Sequence, residues 1–415
     1  MDKAKPFCIA KGDVWEAYKR VKANQGAAGV DGQSIAEFEE DLKGNLYRIW
    51  NRMSSGSYFP SPVRRVDIPK GDGRTRALGI PTVSDRIAQM VVLRYLEPLV
   101  EPVFHEDSYG YRPGRSAHDA LRVARQRCWR YDWVLDLDIK SFFDELDWSL
   151  LMRAVRRHTD CRWALLYIER WLKAPVQQSD GTLVSREKGS PQGAVISPIL
   201  ANLFLHYAFD RWMRVNYPGV PFERYADDAI CHCRSEEQAR VLRAALEARF
   251  AACKLQLNCE KTRIVYCKDA HRRGSYPQQQ FDFLGYTFRP RRAMTRRREL
   301  FVSFIPAVSA RAGKSMRKQI RRWRLHRRTD LQLDDLAHWI RPVLSGWVRY
   351  YGYLYPSALL QALRTLDAFL VRWARRKYRR LRDHHTRAWV WLARVRQRQR
   401  YLFAHWTLVS AAAAR

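Results

Sequence analysis

No C-x-x-C pair occurs among the eight cysteines, so neither a zinc ribbon nor a thioredoxin-like redox centre is indicated. Cysteines so spaced read as reduced, mostly buried residues of a protein inside the cell. No run approaches the roughly 18 apolar residues that a membrane span requires, and the opening MDKAKPFCIAKGD has no apolar core of signal-peptide length. A cytoplasmic chain with no membrane partner is expected. Internal repeats are missing, and low complexity is confined to Ala411–Ala414. Acidic residues are scarce: 42 Asp and Glu face 75 Lys and Arg, a net charge of +33. A charge that large repels itself unless a polyanion neutralises it, so nucleic acid is the expected partner. Composition alone does not separate an enzyme from a ribosomal or chromatin-type protein.

The 415 residues, 47% hydrophobic, suffice for two or three domains with real cores. Their charge is unevenly placed. From Arg289 onward there are 31 Lys and Arg against 6 Asp and Glu, so +25 of the +33 lies there. Before that point helix and strand patterns alternate. Residues 12–23 and 34–53 read as helices separated by NQGAAGVDG, and 82–99 as another. Arg65–Lys70 and Arg74–Ile80 alternate apolar residues around Gly71-Asp72-Gly73, a hairpin signal. Trp133–Ile139 has a buried-strand pattern, and Glu223–Tyr225 and Ala229–Cys231 suggest a strand pair joined through Ala226-Asp227-Asp228. The tail reads as helical: Leu359, Leu363, Leu366, Leu370 and Trp373 form one stripe, and Met316, Ile320 and Trp323 another.

The chemistry is carried by carboxylates. Asp227 and Asp228 sit side by side at the tip of an apolar hairpin, where like charges repel unless a cation intervenes. Mg²⁺ prefers such hard oxygen donors and keeps positions for water and substrate phosphates. The strand 134–139 ends in Asp138, followed by Lys140-Ser141-Phe142-Phe143-Asp144. Asp138 and Asp227 on neighbouring strands would bridge two ions about 3.5–4 Å apart, serving the attacking and leaving oxygens of a nucleotidyl transfer. Asp136 points to the same face of its strand and competes with Asp138; the residues after Asp138 favour the latter. Between the two strands, Gly189-Ser190-Pro191-Gln192-Gly193 forms a loop entering a helix from about Ile199, shaped to approach a nucleotide closely.

Asp138-x-x-x-x-Phe143, then SPQG, then YADD, in this order, resemble the three palm motifs of reverse transcriptases. GAAGVDG (26–32), IPKGDGRTRALGIP (68–81), YGYRPGRSAHDAL (109–121), Leu257-Asn258-x-x-Lys261-Thr262 and Phe283-Leu284-Gly285 are similar to further blocks of group II intron-encoded reverse transcriptase/maturases. Leu344-Ser345-Gly346-Trp347-x-x-Tyr350-Tyr351-Gly352 resembles that family's thumb and maturase region, so the likeness runs from about 15 to 406. It implies an α+β right-hand polymerase with fingers and a ferredoxin-like palm, followed by an all-α thumb/maturase region. The expected division is 1–125 for the N-terminal extension and fingers, 126–288 for the palm with fingers contributions, and 289–415 for the basic helical part.

The resemblance also implies roles. Asp138, Asp227 and Asp228 would be catalytic and, with Ile139, would hold two Mg²⁺ ions, with Mn²⁺ as a substitute. Lys70 and Arg76 would grip the triphosphate, Phe143 would exclude a 2′-hydroxyl, Gln192 would line the nucleotide pocket, and Lys261 would protonate the leaving pyrophosphate. Arg112 and Phe283-Leu284-Gly285 would meet primer and template. Arg317, Lys318, Arg321, Arg322, Arg375, Arg376, Lys377, Arg379 and Arg380 would contact intron RNA through phosphates and shape. The implied partners are a group II intron RNA, an RNA template with a DNA primer, target DNA and dNTPs, in a bacterial-type cytoplasm and at the nucleoid when acting on DNA. Ala194 and Tyr111 depart from residues common in the family without removing a reactive group. With the chain stopping soon after Trp406, no H-N-H endonuclease is expected. The leading function is RNA-directed DNA synthesis with help to intron splicing. The alternatives are a relative serving defence or CRISPR spacer acquisition, and a non-enzymatic splicing chaperone.

Overall fold

Ser34, Thr82, Asp147, Ser235 and Ser309 each open a helix for one reason: the side-chain oxygen accepts the backbone N–H three positions on, which the first turn leaves unpaired. The computed structural model describes residues 5–69, 75–294, 297 and 299–408. They fall into two compact units, residues 1–120 with 135–263 and residues 121–134 with 264–415.

In chain order the first elements are α1 (Lys11–Asn24), α2 (Ile35–Glu40), α3 (Leu42–Ser55), β1 (Val63–Pro69), β2 (Thr75–Ile80), α4 (Val83–Val100), α5 (Ala117–Cys128) and β3 (Trp133–Asp138). Then come α6 (Phe142–Glu145), α7 (Trp148–Arg156), α8 (Arg162–Lys173), β4 (Val176–Gln177), β5 (Leu183–Val184), α9 (Ser197–Leu205), a π-turn at His206–Asp210 and α10 (Arg211–Asn216). β6 (Phe222–Tyr225), β7 (Asp228–Cys233), α11 (Glu236–Ala252) and β8 (Arg263–Tyr266) follow. The sheet order β6-β7-β3-β8 places the second and third of these strands beside each other and the first between the third and fourth. That is the order of a β-α-β-β-α-β ferredoxin-like unit. A second sheet, β2-β1-β4-β5, pairs Ile68 with Arg76 and Pro69 with Thr75 in its antiparallel hairpin.

Most elements expected from periodicity are present within two residues of their expected ends. One helix differs. The continuous pattern over 34–53 breaks at Asp41, which leaves helical geometry at φ −122° and ψ 52° and caps the new helix by accepting from Gly44 N at 3.1 Å. A local cap has outcompeted an unbroken amphipathic stripe.

The tail is corrected more substantially. Residues 289–308, expected to be helical, belong largely to β10 (Tyr286–Met294) and β11 (Leu300–Val308), paired antiparallel and joined by β9 (Phe281–Phe283). Tyr286 and Phe288 are buried in alternation on one strand and Phe304 is buried on the other, opposite Pro290, while Arg289, Arg291 and Arg292 obscured the period of two. Helix begins only at α12 (Ala310–Trp323), followed by α13 (Leu333–Tyr351), α14 (Pro356–Lys377) and α15 (His385–Arg398). The two tail stripes do form one core: Met316 and Ile320 pack in the same cluster as Leu359, Leu363, Leu366, Leu370 and Trp373. Among the described residues no helix is long and apolar enough to cross a membrane.

Candidate active site

Tyr225 pairs with Asp228 across the β6–β7 hairpin, so Ala226 and Asp227 form a two-residue turn. Ala226 has φ 57°, a left-handed conformation that costs an L-residue roughly 1–2 kcal/mol. Six other non-glycine residues share a positive φ among the described residues, and three of them, Tyr111, Ser141 and Leu284, lie inside the motifs singled out above. Strain gathered at a site persists only where the surroundings over-determine it. Here they do. Gly110 packs so closely that a Cβ on it would stand 2.5 Å from Ala226 N. Asn202 Nδ2 donates to Gly110 O at 2.7 Å, and Arg224 Nη1 donates to Ala226 O at 3.0 Å.

Asp138 ends β3, which lies next to β7 in the sheet. The segment 256–262 clamps that end. Asn258 N donates to Asp138 O at 2.8 Å, Lys140 N to Gln256 O at 2.9 Å, and Asp138 N to Thr262 Oγ1 at 3.4 Å. The same segment brings Lys261 Nζ to 3.1 Å from Asp138 Oδ2. Asp227 feels the charges of Asp138, Arg76 and Arg224. Burial first, then the like charge of Asp138, pushes its carboxyl above the ordinary value, against Arg76 and Arg224, which favour the anion. Tyr111 completes the group: the residue is 59% exposed, yet desolvation of its hydroxyl, and then the charge of Asp227, raise its pKa. Asp138, Asp227, Arg76, Lys261 and Tyr111 are thus brought together from five separate stretches of chain. Asp228 follows Asp227 on β7, half-buried, and Ile139 is buried just beyond Asp138. Asp136 is half-buried on the same strand. Among the described residues no three acidic, His or Cys side chains stand close enough to form a closed metal cage.

The Gly189–Gln192 loop is tied to both neighbouring segments. Ser190 N donates to Phe143 O at 2.7 Å and Gly189 N to Leu146 O at 2.7 Å, while Gly79 N on β2 donates to Gln192 O at 2.7 Å. Gln89, buried in α4, accepts from Val195 N at 2.8 Å and Ile196 N at 3.4 Å. Sequence reading missed Gln89, which shares its buried helix face with Asp85 and Arg86 as well as with apolar Val92. Phe142 is buried in the core and Phe143 beside it is half-exposed, with ring centroids 5.4 Å apart. Lys70 lies outside the described residues.

Other expected site residues are placed differently. Arg112 turns inward: Nε donates to Glu101 Oε1 at 2.9 Å, and Nη1 to His105 O at 2.6 Å and Ser108 O at 2.7 Å. It shapes the segment that carries Gly110 and Tyr111 and offers no open face. In the second unit, Leu284 (φ 50°) and Gly285 (φ 79°) form a type I′ turn between Phe283 and Tyr286. Tyr350 donates to Leu284 O at 2.8 Å. Lys318, Arg321, Arg322, Arg379 and Arg380 are exposed and Arg317 is half-buried. Arg375, Arg376 and Lys377 bond backbone carbonyls: Lys377 Nζ donates to Thr329 O at 3.0 Å and Leu331 O at 2.7 Å, Arg376 to His326 O at 3.3 Å, and Arg375 to Arg382 O at 2.9 Å.

Residues 68–288 match the family described as reverse transcriptase (RNA-dependent DNA polymerase), and residues 313–391 match the group II intron, maturase-specific domain. Protein YkfC of Escherichia coli (strain K12) is 33% identical over 337 residues, which cover 71% of this chain and 85% of that protein. The group II intron-encoded protein LtrA of Lactococcus lactis subsp. cremoris is 34% identical over 194 residues, 46% of this chain and 32% of LtrA. Among solved structures, telomerase from Candida albicans, in complex with a telomeric RNA fragment, aligns with a TM-score of 0.45 at 11% identity, covering 82% of this chain and 63% of that one.

Proposed function

The chain belongs to the reverse transcriptases, with a group II intron maturase-specific domain behind the polymerase, and we propose that it copies intron RNA into DNA at Asp138, Asp227 and Asp228 and binds that RNA to assist splicing and mobility. The family makes it an RNA-directed DNA polymerase of right-hand fold. The observation that carries the site is the convergence of Asp138 and Asp227 with Arg76 and Lys261 at one end of the central strands β7 and β3. In this reading the sheet β6-β7-β3-β8 is the palm, β1–β2 belongs to the fingers, and the helices from α12 form the thumb and maturase region.

The three carboxylates, with the Ile139 carbonyl, are hard oxygen donors and would hold two Mg²⁺ or Mn²⁺ ions. When bound, these supply Lewis acidity to the attacking 3′-hydroxyl and the leaving pyrophosphate. The chain's own groups do the rest. Arg76, exposed on β2, and Lys70 would meet the triphosphate as charge-assisted donors. Lys261, poised on Asp138, would pass a proton to the departing pyrophosphate oxygen. Phe143, half-exposed and clamped through its carbonyl, would lie under the sugar and exclude a 2′-hydroxyl. Gln192 would border the base-pairing pocket. Intron RNA would meet the exposed Lys318, Arg321 and Arg322 on α12 and Arg379 and Arg380 beyond α14.

Primer extension tests this. With an RNA template, a DNA primer, Mg²⁺ and dNTPs, the wild type gives full-length cDNA and the Asp227→Ala, Asp228→Ala double variant gives none. Equal products from both would remove these carboxylates from the chemistry. Absence of extension by a folded, RNA-binding wild type would leave the splicing role alone.

A further inference from the structure

Arg224 and Asp210 form a fully buried ion pair, their side chains 1% and 0% exposed, with Nε on Oδ1 at 2.7 Å and Nη2 on Oδ2 at 2.6 Å. Such a pair is weak evidence for stability, because well-packed apolar residues of similar volume usually serve a fold as well. The remaining contacts point elsewhere. Arg224 Nη1 donates to Asn202 Oδ1 at 3.0 Å and to Ala226 O at 3.0 Å. Ala226 is the strained residue of the turn, and its carbonyl belongs to the peptide that leads directly into Asp227. Asn202 in turn holds Gly110 O, and Gly110 presses on Ala226 N from the other side. One network therefore grips both flanks of the turn. The backbone of Arg224 is anchored as well: its N–H donates to Asp107 O at 2.9 Å and its carbonyl accepts from Tyr109 N at 2.8 Å. Asp210 closes the π-turn between α9 and α10, and such turns recur at functional sites because they re-aim one side chain within a helix.

We propose that Arg224, fixed by Asp210 and Asn202, is the positioning residue of the metal-binding turn, holding the Ala226–Asp227 peptide in the one orientation that aims Asp227 into the site. This rests on the reading of Asp227 given above. A planar guanidinium is needed, since it reaches a carboxylate, an amide and a backbone carbonyl at once, whereas an ammonium is a point charge.

The test compares the wild type, Arg224→Lys and the double variant Asp210→Leu, Arg224→Met in single-nucleotide incorporation across a Mg²⁺ titration. Melting temperature and template–primer Kd are measured alongside. For Arg224→Lys the expected result is a kcat lower by about 10²-fold, the usual consequence of displacing a reacting group by about 1 Å. Its dNTP KM and template–primer Kd should stay within threefold and its Mg²⁺ midpoint rise severalfold. The double variant restores an apolar match and should melt near the wild type yet stay catalytically low. Recovery of wild-type kcat and Mg²⁺ midpoint by the folded double variant would overturn the proposal and leave the pair a packing device. Wild-type behaviour of Arg224→Lys would overturn it equally, and that variant decides the matter if the double variant does not fold. A wild type that extends no primer would instead sink the underlying reading of the site.

Discussion

Replacing Gly110 by alanine adds one carbon and two hydrogens at a crowded point beside the proposed catalytic turn. Gly110 has no need of a left-handed backbone, as it is absent from the positive-φ glycines, so the objection is purely steric. The new Cβ would lie 2.5 Å from Ala226 N and 3.0 Å from Tyr225 C, both backbone atoms that cannot rotate aside. Relief to ordinary contact needs a shift of roughly 1 Å, and overpacking of this kind costs ~1–3 kcal/mol. For a unit of this size that lowers Tm by roughly 2–12 °C. The larger effect should be kinetic, because a displacement of ~1 Å in a reacting carboxylate costs on the order of 10²-fold in rate. Pre-steady-state incorporation of one dNTP, read beside a thermal melt, measures both. Gly110→Ala with wild-type incorporation and an unchanged Tm would show that the turn accommodates the methyl and that its tight packing has no part in aiming Asp227.

Phe143→Ala should raise ribonucleotide incorporation relative to dNTP at least tenfold while leaving the template–primer Kd unchanged; an unchanged ratio in a competition assay rejects Phe143 as the sugar gate. Replacing Lys318, Arg321 and Arg322 by Gln should weaken binding to a structured RNA and flatten the log Kd against log[KCl] slope by about 2–3, since each phosphate contact contributes ~0.7–0.9. Lys377→Met should instead lower Tm, as its ammonium holds the carbonyls of Thr329 and Leu331. Burial raises the pKa of Asp367, but hydrogen bonds from His405 and Trp406 and the His405 charge outweigh it, leaving the carboxyl below its ordinary value. A depressed carboxylate contributes stability above its unfolded value and loses it as pH falls through the folded one. Tryptophan fluorescence should therefore report loss of tail packing as the wild type is acidified below the ordinary carboxylate range. Asp367→Asn should already lack that stability at neutral pH.

What the sequence by itself determined is what depends on neighbours in the chain. Apolar alternation up to Asp138, a hairpin joined through Ala226-Asp227-Asp228 and a Gly-Pro loop at 189–193 are local, so their places in strand, hairpin and loop could be read from periodicity and turn chemistry, although Asp228 proves to open the second strand. So could the stripe from Leu359 to Trp373, which needs only a period near 3.6. The tertiary structure decided everything that depends on a distant partner. Arg112 and Arg317 look alike in sequence, yet Glu101 and two carbonyls draw the first inward and leave it no open face. Lys377 and Lys318 differ in the same way, because only one meets the carbonyls of a neighbouring turn. Strands β10 and β11 stabilise one another across their whole length, a register that neither strand records alone. The Arg224–Asp210 pair was invisible because a charged residue next to a motif reads as solvated until packing removes the water. Charge and hydrogen-bond partners are chosen by proximity in space, and proximity in space is what the chain order does not contain.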